Sequence, residues 1–322
     1  MARNILVVGE LVEGALSPTT AELLGQSTRL VDGGSVAVSL MGSGASGAAS
    51  SAFEAGADKA FTNDDSSYDQ YNSDHWVNAV EAALDGVDAV LVAQSSVGRD
   101  IAPRLAARQN TAAAMDCINV TDDSGTLKVT RPAYGGNALA EYSFAASPAV
   151  ATVRAKAFEV IEPRSGASGA TVELPAAGES RTTIQGRELA EAVGLSITEA
   201  PVVVSGGRGL GGPEGFEQVE ALAAAFGTSR AAVGSSRAAC DLGWYPVSQQ
   251  VGLTGKVVTP DLYVAVAISG ASQHMAGCSG SKMIIAINKD PDANIFQNSK
   301  YGIVGDYKAV LPALIEAVKA VS

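Results

Sequence analysis

The residues best suited to chemistry lie in the second half of this 322-residue chain, where small polar and basic side chains sit inside glycine turns. Within residues 249–290 the turns are Val251-Gly252-Leu253-Thr254-Gly255, Ile268-Ser269-Gly270-Ala271 and Gly277-Cys278-Ser279-Gly280. Upstream stand Ser205-Gly206-Gly207-Arg208-Gly209-Leu210-Gly211-Gly212 and Gly234-Ser235-Ser236-Arg237. Glycine lets a backbone come close to a ligand, and a turn that opens a helix aims free N–H groups and a positive dipole end at an anion. Arg208 can set a permanently charged, bidentate fork on a phosphate. The chemistry this set suits is the holding of a diphosphate. No acid–base pair for a small substrate accompanies it.

Such turns need strands to carry them. Residues 262–268 and 283–287 are short, β-branched runs bounded by turn residues, as expected for buried strands of a parallel sheet. Pro201-Val202-Val203-Val204 runs into the first glycine loop, and Pro213 and Glu214 then open a helix over residues 216–226, giving strand, loop, helix. Ala231-Ala232-Val233 is the next strand. It delivers Ser235, Ser236 and Arg237 to the edge that carries Arg208, because open α/β sheets bind ligands outside the carboxyl ends of their strands. Ser272 is placed to cap a short helix over residues 273–276. A terminal helix over residues 307–318 puts Val310, Leu311, Leu314, Ile315 and Val318 on one stripe, with Pro312 starting or kinking it.

The first half alternates short apolar runs with helical ones: strands at residues 5–8, 35–40 and 89–92, helices at 20–30, 48–55 and 76–84. That alternation implies right-handed crossovers and a mostly parallel sheet. Strand and turn are expected at residues 127–136, and further strands at 149–153 and 158–161 would enlarge the sheet. Residues 163–170 read as a linker or surface loop, and 187–193 as a helix stopped by Gly194, after which 198–204 begins a new strand. The fold expected is α/β in two domains, each a mostly parallel sheet flanked by helices. Residues 1–189 form the first and residues 190–322 a doubly wound second.

Gly42-Ser43-Gly44-Ala45-Ser46-Gly47 matches G-x-G-x-x-G, which would make a dinucleotide site with Asp64 or Asp65 on the ribose. It follows the second strand of its domain, whereas the fingerprint belongs after the first strand of its unit. A flexible turn in an Ala/Gly-rich chain is the reading preferred.

Composition narrows the classes. With 47% apolar and 17% charged residues the chain is a packed globular protein. A net charge of −12 and no visible basic patch argue against nucleic acid as a partner. Cys117, Cys240 and Cys278 show no CxxC or Cys/His pairing, so no zinc or iron–sulfur site is indicated. The start, MARNILVVGE, enters a strand directly with no targeting pattern, so a cytoplasmic location is expected.

Six stretches in register resemble the FAD-binding half of electron transfer flavoprotein alpha subunits: Val204-Ser205-Gly206-Gly207-Arg208-Gly209; Gly234-Ser235-Ser236-Arg237-Ala238-Ala239; Gln250-Val251-Gly252-x-Thr254-Gly255-Lys256; Ile268-Ser269-Gly270-Ala271-x-Gln273-His274; Ala286-Ile287-Asn288-Lys289-Asp290-Pro291; and Tyr301-Gly302-Ile303-Val304-Gly305-Asp306. Leu253 departs from the pattern, since the family commonly has Gln there.

The resemblance implies FAD in the second domain and no nucleotide in the first. It implies that Arg237 lies against the isoalloxazine, where a fixed cation favours negative charge on the ring, with Ser236 also on the cofactor. Thr254 would hydrogen-bond near flavin N5, and His274, near the pyrimidine end, would act as a donor or imidazolium. Arg208, Gln250, Val251, Gly252, Leu253, Ser269, Gly270, Ala271, Ser272 and Gln273 would complete the flavin, ribityl and pyrophosphate contacts, and Asn288, Asp306 and Tyr307 the adenosine side. The family further implies an electron carrier, not an enzyme acting on a substrate. Its partners would be a beta subunit holding AMP or another nucleotide, donor dehydrogenases such as those oxidising acyl-CoA, and a membrane quinone oxidoreductase. Alternatives are a subunit of an electron-bifurcating complex and a stand-alone NAD- or flavin-dependent oxidoreductase using residues 42–47.

Overall fold

The computed structural model describes residues 2–136, 138–186 and 195–320, and the chain divides into two compact units, Met1–Ala133 with Leu139–Arg187, and Tyr134–Ala138 with Glu188–Ser322. The helix expected at 187–193 and the boundary expected at 189/190 lie outside the described residues.

In the first unit a seven-stranded sheet runs in the order Ala170–Glu173, Lys59–Asn63, Val36–Met41, Ile5–Val8, Ala89–Ala93, Ala149–Val153, Ala113–Cys117. The pairs are parallel throughout. Central strands of such a sheet are covered on both faces and so read as unbroken apolar runs: Ile5–Val8 is buried at every position. Alternation then sends Ile5 and Val7 to one core and Leu6 and Val8 to the other. The helices start where the sequence provides caps. Ser17 accepts from Thr20 N ahead of Pro18–Thr28, Asn72 caps Ser73–Ala82, and Ser95 caps Ser96–Arg108.

Several expectations are corrected here. Residues 158–161 form no strand: Phe158 packs on the core, Ile161 lies over Gly25 of the Pro18–Thr28 helix, and the segment crosses that helix without reaching a sheet edge. The edge is taken by Ala170–Glu173, which pairs with Lys59–Asn63. Residues 163–169 are therefore a surface loop leading into a strand, tied down by Arg164 Nη2 on the carbonyls of Phe53 and Ala57 at 3.2 and 3.3 Å. Thr126–Ala133 does not join the main sheet; with Asn119–Asp123 and Ala138–Ser143 it makes a separate three-stranded one.

The second unit is a six-stranded parallel sheet ordered Gln250–Val251, Ala231–Ser236, Val202–Gly206, Leu262–Val266, Met283–Asn288, Tyr301–Val304. The first of its strands begins at Val202, later than the 198 expected, because residues 196–200 turn back on Ser196 O and Pro201 separates them from the strand. Val203, Tyr263 and Ala265 face one core; Val204, Val264 and Val266 face the other, under Gly215–Ala225 and Tyr307–Lys319. Pro312 sits inside the last helix, which continues through it, with Leu311 and Val318 buried. No helix among the described residues is long and apolar enough to cross a membrane.

Candidate functional site

The second sheet reverses its strand order between Val202–Gly206 and Leu262–Val266, and a cleft of about 610 Å³ opens beyond the carboxyl ends of these two strands. Its floor is main chain. A Cβ on Gly207 would come within 2.2 Å of the Ala267 carbonyl oxygen, and one on Gly209 within 2.8 Å. Gly209 N donates to that same oxygen at 3.2 Å. Only glycine lets the two loops press together this way. Ala267 itself has φ 55°, a left-handed conformation that a β-carbon disfavours.

Arg208 and Arg237 reach the cleft from successive strand ends. The Arg208 side chain is exposed and makes no ion pair among the described residues. Arg237 is tied one turn along its helix to Asp241, Nε to Oδ2 at 3.2 Å. Ser236 caps that helix, its Oγ accepting from Ala239 N at 3.4 Å, so its hydroxyl hydrogen is still free for another acceptor.

The edge strand brings Gln250, Val251, Gly252, Leu253 and Thr254. Gln250 Nε2 donates to Thr254 Oγ1 at 3.0 Å. This engages a lone pair of the hydroxyl and leaves its hydrogen to be given away. Lys256 N closes the turn on Gln250 O at 2.7 Å, and Leu253 N donates to Gln273 O at 2.8 Å, pinning it to the helix Ser272–Met275. Leu253 itself is 64% exposed at the rim, an aliphatic group with no side-chain donor.

His274, like Gln250, is a buried polar side chain of the wall. Its Nε2 lies 2.9 Å from the Tyr263 hydroxyl, while Nδ1 is buried and closes no hydrogen bond. Burial pushes its pKa down to about 4, opposed only by the Val251 backbone, which favours a proton on the ring. Burial thus favours the neutral imidazole at pH 7, the form that can still donate from one ring nitrogen.

The other expected residues divide. Ser269, Ala271 and Gln273 line the cleft. Gly270 does not: a Cβ there would lie 2.2 Å from Ile295 N, so it is pressed on the neighbouring backbone. Ser272 is also outside the lining and is the first residue of its helix. Its Oγ donates to Gln273 Oε1 at 3.3 Å, and the expected cap is not made. Asn288 clamps the loop, Nδ2 donating to Ile268 O at 2.9 Å and Oδ1 accepting from Asp290 N at 3.0 Å. Asp306 caps the last helix by accepting from Lys308 N at 2.9 Å, and the Tyr307 hydroxyl donates to Leu210 O at 2.8 Å. These three line a second pocket of about 230 Å³ that shares Gly209, Ala267 and Asn288 with the cleft. Ala267, Asp241 and Asp290 line the cleft without having been singled out. Tyr263, behind the wall, was missed too; the available signal was a tyrosine inside an apolar strand, whose hydroxyl must find a partner when buried.

The G-x-G-x-x-G loop of the first unit borders a pocket of about 1110 Å³, lined by Gly42, Ser43 and Gly44, but its amides are already engaged by the chain's own carboxylates. Ser43 N and Oγ donate to the Asp69 carboxylate at 2.6 and 2.7 Å, and Ser46 N donates to Asp64 Oδ1 at 3.1 Å. Hydrogen bonds from the Ser46 hydroxyl and amide hold the Asp64 carboxyl below the usual range. Asp64 thus occupies the place of an anion. Asp65 instead caps the short turn Ser66–Tyr68.

A doubly wound α/β unit with a main-chain floor and arginines at its switch point belongs to the class that takes an extended nucleotide-like ligand. The comparisons specify the class further. The family described as "Electron transfer flavoprotein domain" matches residues 5–179, and "Electron transfer flavoprotein FAD-binding domain" matches residues 196–279. The electron transfer flavoprotein subunit alpha of Bacillus subtilis is 38% identical over 323 aligned positions, covering 99% of this chain and 98% of that protein. That of Mycobacterium tuberculosis is 42% identical over 321, covering 98% of each. Protein FixB of Clostridium saccharobutylicum is 38% identical over 332, covering 99% and 97%. The chain belongs to the electron transfer flavoprotein alpha-subunit family.

Proposed function

We propose that the cleft holds the flavin and diphosphate of FAD, that the second pocket takes the adenosine side, and that the chain works as an electron carrier with a beta subunit. The observation that carries this reading is convergence: the Arg208 loop, Ser236-Arg237, the Gln250–Thr254 turn and the Ser269–His274 loop come from separate strand ends into one cleft. The fit is chemical as well as spatial. The floor of main chain admits a flat or extended ligand closely, two guanidinium groups suit phosphate and ring carbonyls, and a buried ring nitrogen of His274 has no hydrogen bond.

Bound FAD would supply reversible uptake of electrons. The chain's own residues do the rest. Arg208 binds the diphosphate, Thr254 offers a hydroxyl hydrogen whose direction Gln250 sets, and Arg237 places a positive charge at the cleft. His274 adds a dipole without adding charge. The carrier accepts from dehydrogenases such as those acting on acyl-CoA and delivers to a membrane quinone oxidoreductase, in the cytoplasm, with AMP or another nucleotide held by the beta subunit. A stand-alone NAD-dependent reading gains no support, because the amides of residues 43 and 46 already serve Asp69 and Asp64.

Co-expression with the beta subunit of the same source and a count of flavin in the purified complex test the reading. One FAD per heterodimer is expected, lost in an Arg208→Ala, Arg237→Ala double variant. A colourless heterodimer that takes up no FAD would overturn it.

A further inference from the structure

We propose that Tyr263 is a positioning residue that fixes His274 in its neutral Nδ1–H tautomer, so that the wall of the cleft presents an oriented dipole and never a cation. The argument begins with the phenol. Tyr263 is fully buried in the strand Leu262–Val266, and burial raises its pKa well above the ordinary value, so it keeps its proton. A buried O–H must find an acceptor. The polar side chains that reach it are Ser205 from the adjoining strand, Cys278 from the following loop and His274. The Cys278 thiol donates to His274 O at 3.6 Å, which leaves its sulfur as a weak acceptor only, and Ser205 Oγ, a hydroxyl that can itself donate, closes no hydrogen bond. His274 Nε2, at 2.9 Å, is the partner with hydrogen-bond geometry.

An acceptor nitrogen carries no proton, so the ring proton belongs on Nδ1. The surroundings agree. The Val251 backbone, from the edge strand, is the polar neighbour that favours a proton on the ring, and among the described residues no carboxylate or ammonium acts on it. The reverse arrangement would turn the phenol hydrogen toward Ser205 or the weakly accepting Cys278 sulfur, neither of which closes a hydrogen bond with it, and leave Nδ1 buried as a bare lone pair. The tautomer follows from the protein alone. Its consequence, that a reduced flavin meets a neutral donor on this wall and must take any compensating charge from Arg237, rests on the proposed function.

The chain has two histidines, His75 and His274, so labelling it with ¹⁵N-histidine and pairing it with an unlabelled beta subunit gives a spectrum of two rings. Long-range ¹⁵N–¹H correlation distinguishes the nitrogen coupled to both ring C–H protons, Nε2, from the one coupled mainly to Hε1, Nδ1. For His274 we expect a pyridine-type Nε2 and a protonated Nδ1, unchanged from pH 8 down to pH 5. In Tyr263→Phe the Nε2 resonance should move toward the protonated position as the tautomers mix, while His75 stays as it was. A protonated Nε2 or an imidazolium in the wild-type protein at pH 7 overturns the proposal, whether or not the variant folds. So does an unmoved His274 spectrum in a folded Tyr263→Phe. If the tautomer is found but the heterodimer carries no flavin, the functional reading falls and the positioning role stands.

Discussion

Arg237 and Asp241 form an ion pair one helical turn apart at the mouth of the cleft, with 67% and 60% of their side chains exposed. A pair this wet contributes roughly 0–1 kcal/mol and holds neither partner firmly. The guanidinium is therefore available to a ligand, with a carboxylate beside it that partly cancels its charge. Asp241→Asn should leave the thermal midpoint nearly unchanged and raise the flavin midpoint potential. Arg237→Ala should lower that potential. Equal potentials in both variants would remove Arg237 from the ring environment.

Ala267 holds a left-handed φ of 55° between the glycine loop and the next strand end. The conformation costs a residue with a β-carbon roughly 1–2 kcal/mol, part of which glycine returns as lost chain entropy. Ala267→Gly should therefore stabilise the chain by about 0.5–1 kcal/mol, read as a higher midpoint in chemical unfolding. A lower midpoint would mean that the methyl group supplies packing worth more than the strain.

Asp64 at the N-terminus of the Ala45–Glu54 helix should behave as an internal anion. Asp64→Asn should destabilise the chain by ~0.5 kcal/mol through the weakened bonds to Ser46. It should not create NADH binding, because Asp69 still occupies Ser43. Fluorescence titration with NADH checks the second point, and saturable binding in the variant would restore the dinucleotide reading.

Two buried groups tilt stability with pH in opposite senses. His274 has its pKa lowered from 6.5 to about 4 by burial, so the unfolded chain binds the extra proton in that window. Its contribution is complete above pH 6.5 and is lost as pH falls toward 4, by about 3 kcal/mol at most. His274→Asn should flatten this acid limb.

Glu22 has its pKa raised from 4.5 to about 7, by burial that outweighs a hydrogen bond from Lys156 N. Here the folded state holds the proton. The contribution is present below pH 4.5 and is lost as pH rises through 7. Glu22→Gln should match the wild type at low pH and exceed it at pH 8 by on the order of 1 kcal/mol after solvent screening. Parallel stability curves for the variant and the wild type would show that Glu22 ionises normally.

The strand ends of the second unit were legible because β-branched runs stop abruptly at glycine, and that pattern placed Arg208 and Arg237 on one edge, while Thr254 and His274 came from the family resemblance; all four line the cleft. The same reasoning failed at residues 158–161, where alternation looked like a strand but the chain lay across a helix. It missed Ala170–Glu173 because that edge strand is four residues long with every side chain exposed, too short for its Ala-Thr-Val-Glu alternation to stand out. Gly270 and Ser272 share a motif with true lining residues, yet motif membership does not say which way a residue points. The neutrality of His274 was invisible for a related reason: it follows from burial, which the packing of several elements decides.

The glycine loop lying against the Ala267 carbonyl has a practical corollary for mutagenesis. An alanine scan looks for function by deleting side chains, and here there is none to delete; each glycine exchanged would add an obstruction. Truncation experiments will thus tend to rank the peripheral arginines as important and pass over the place where the two loops meet. The informative substitutions at this spot are the ones that enlarge.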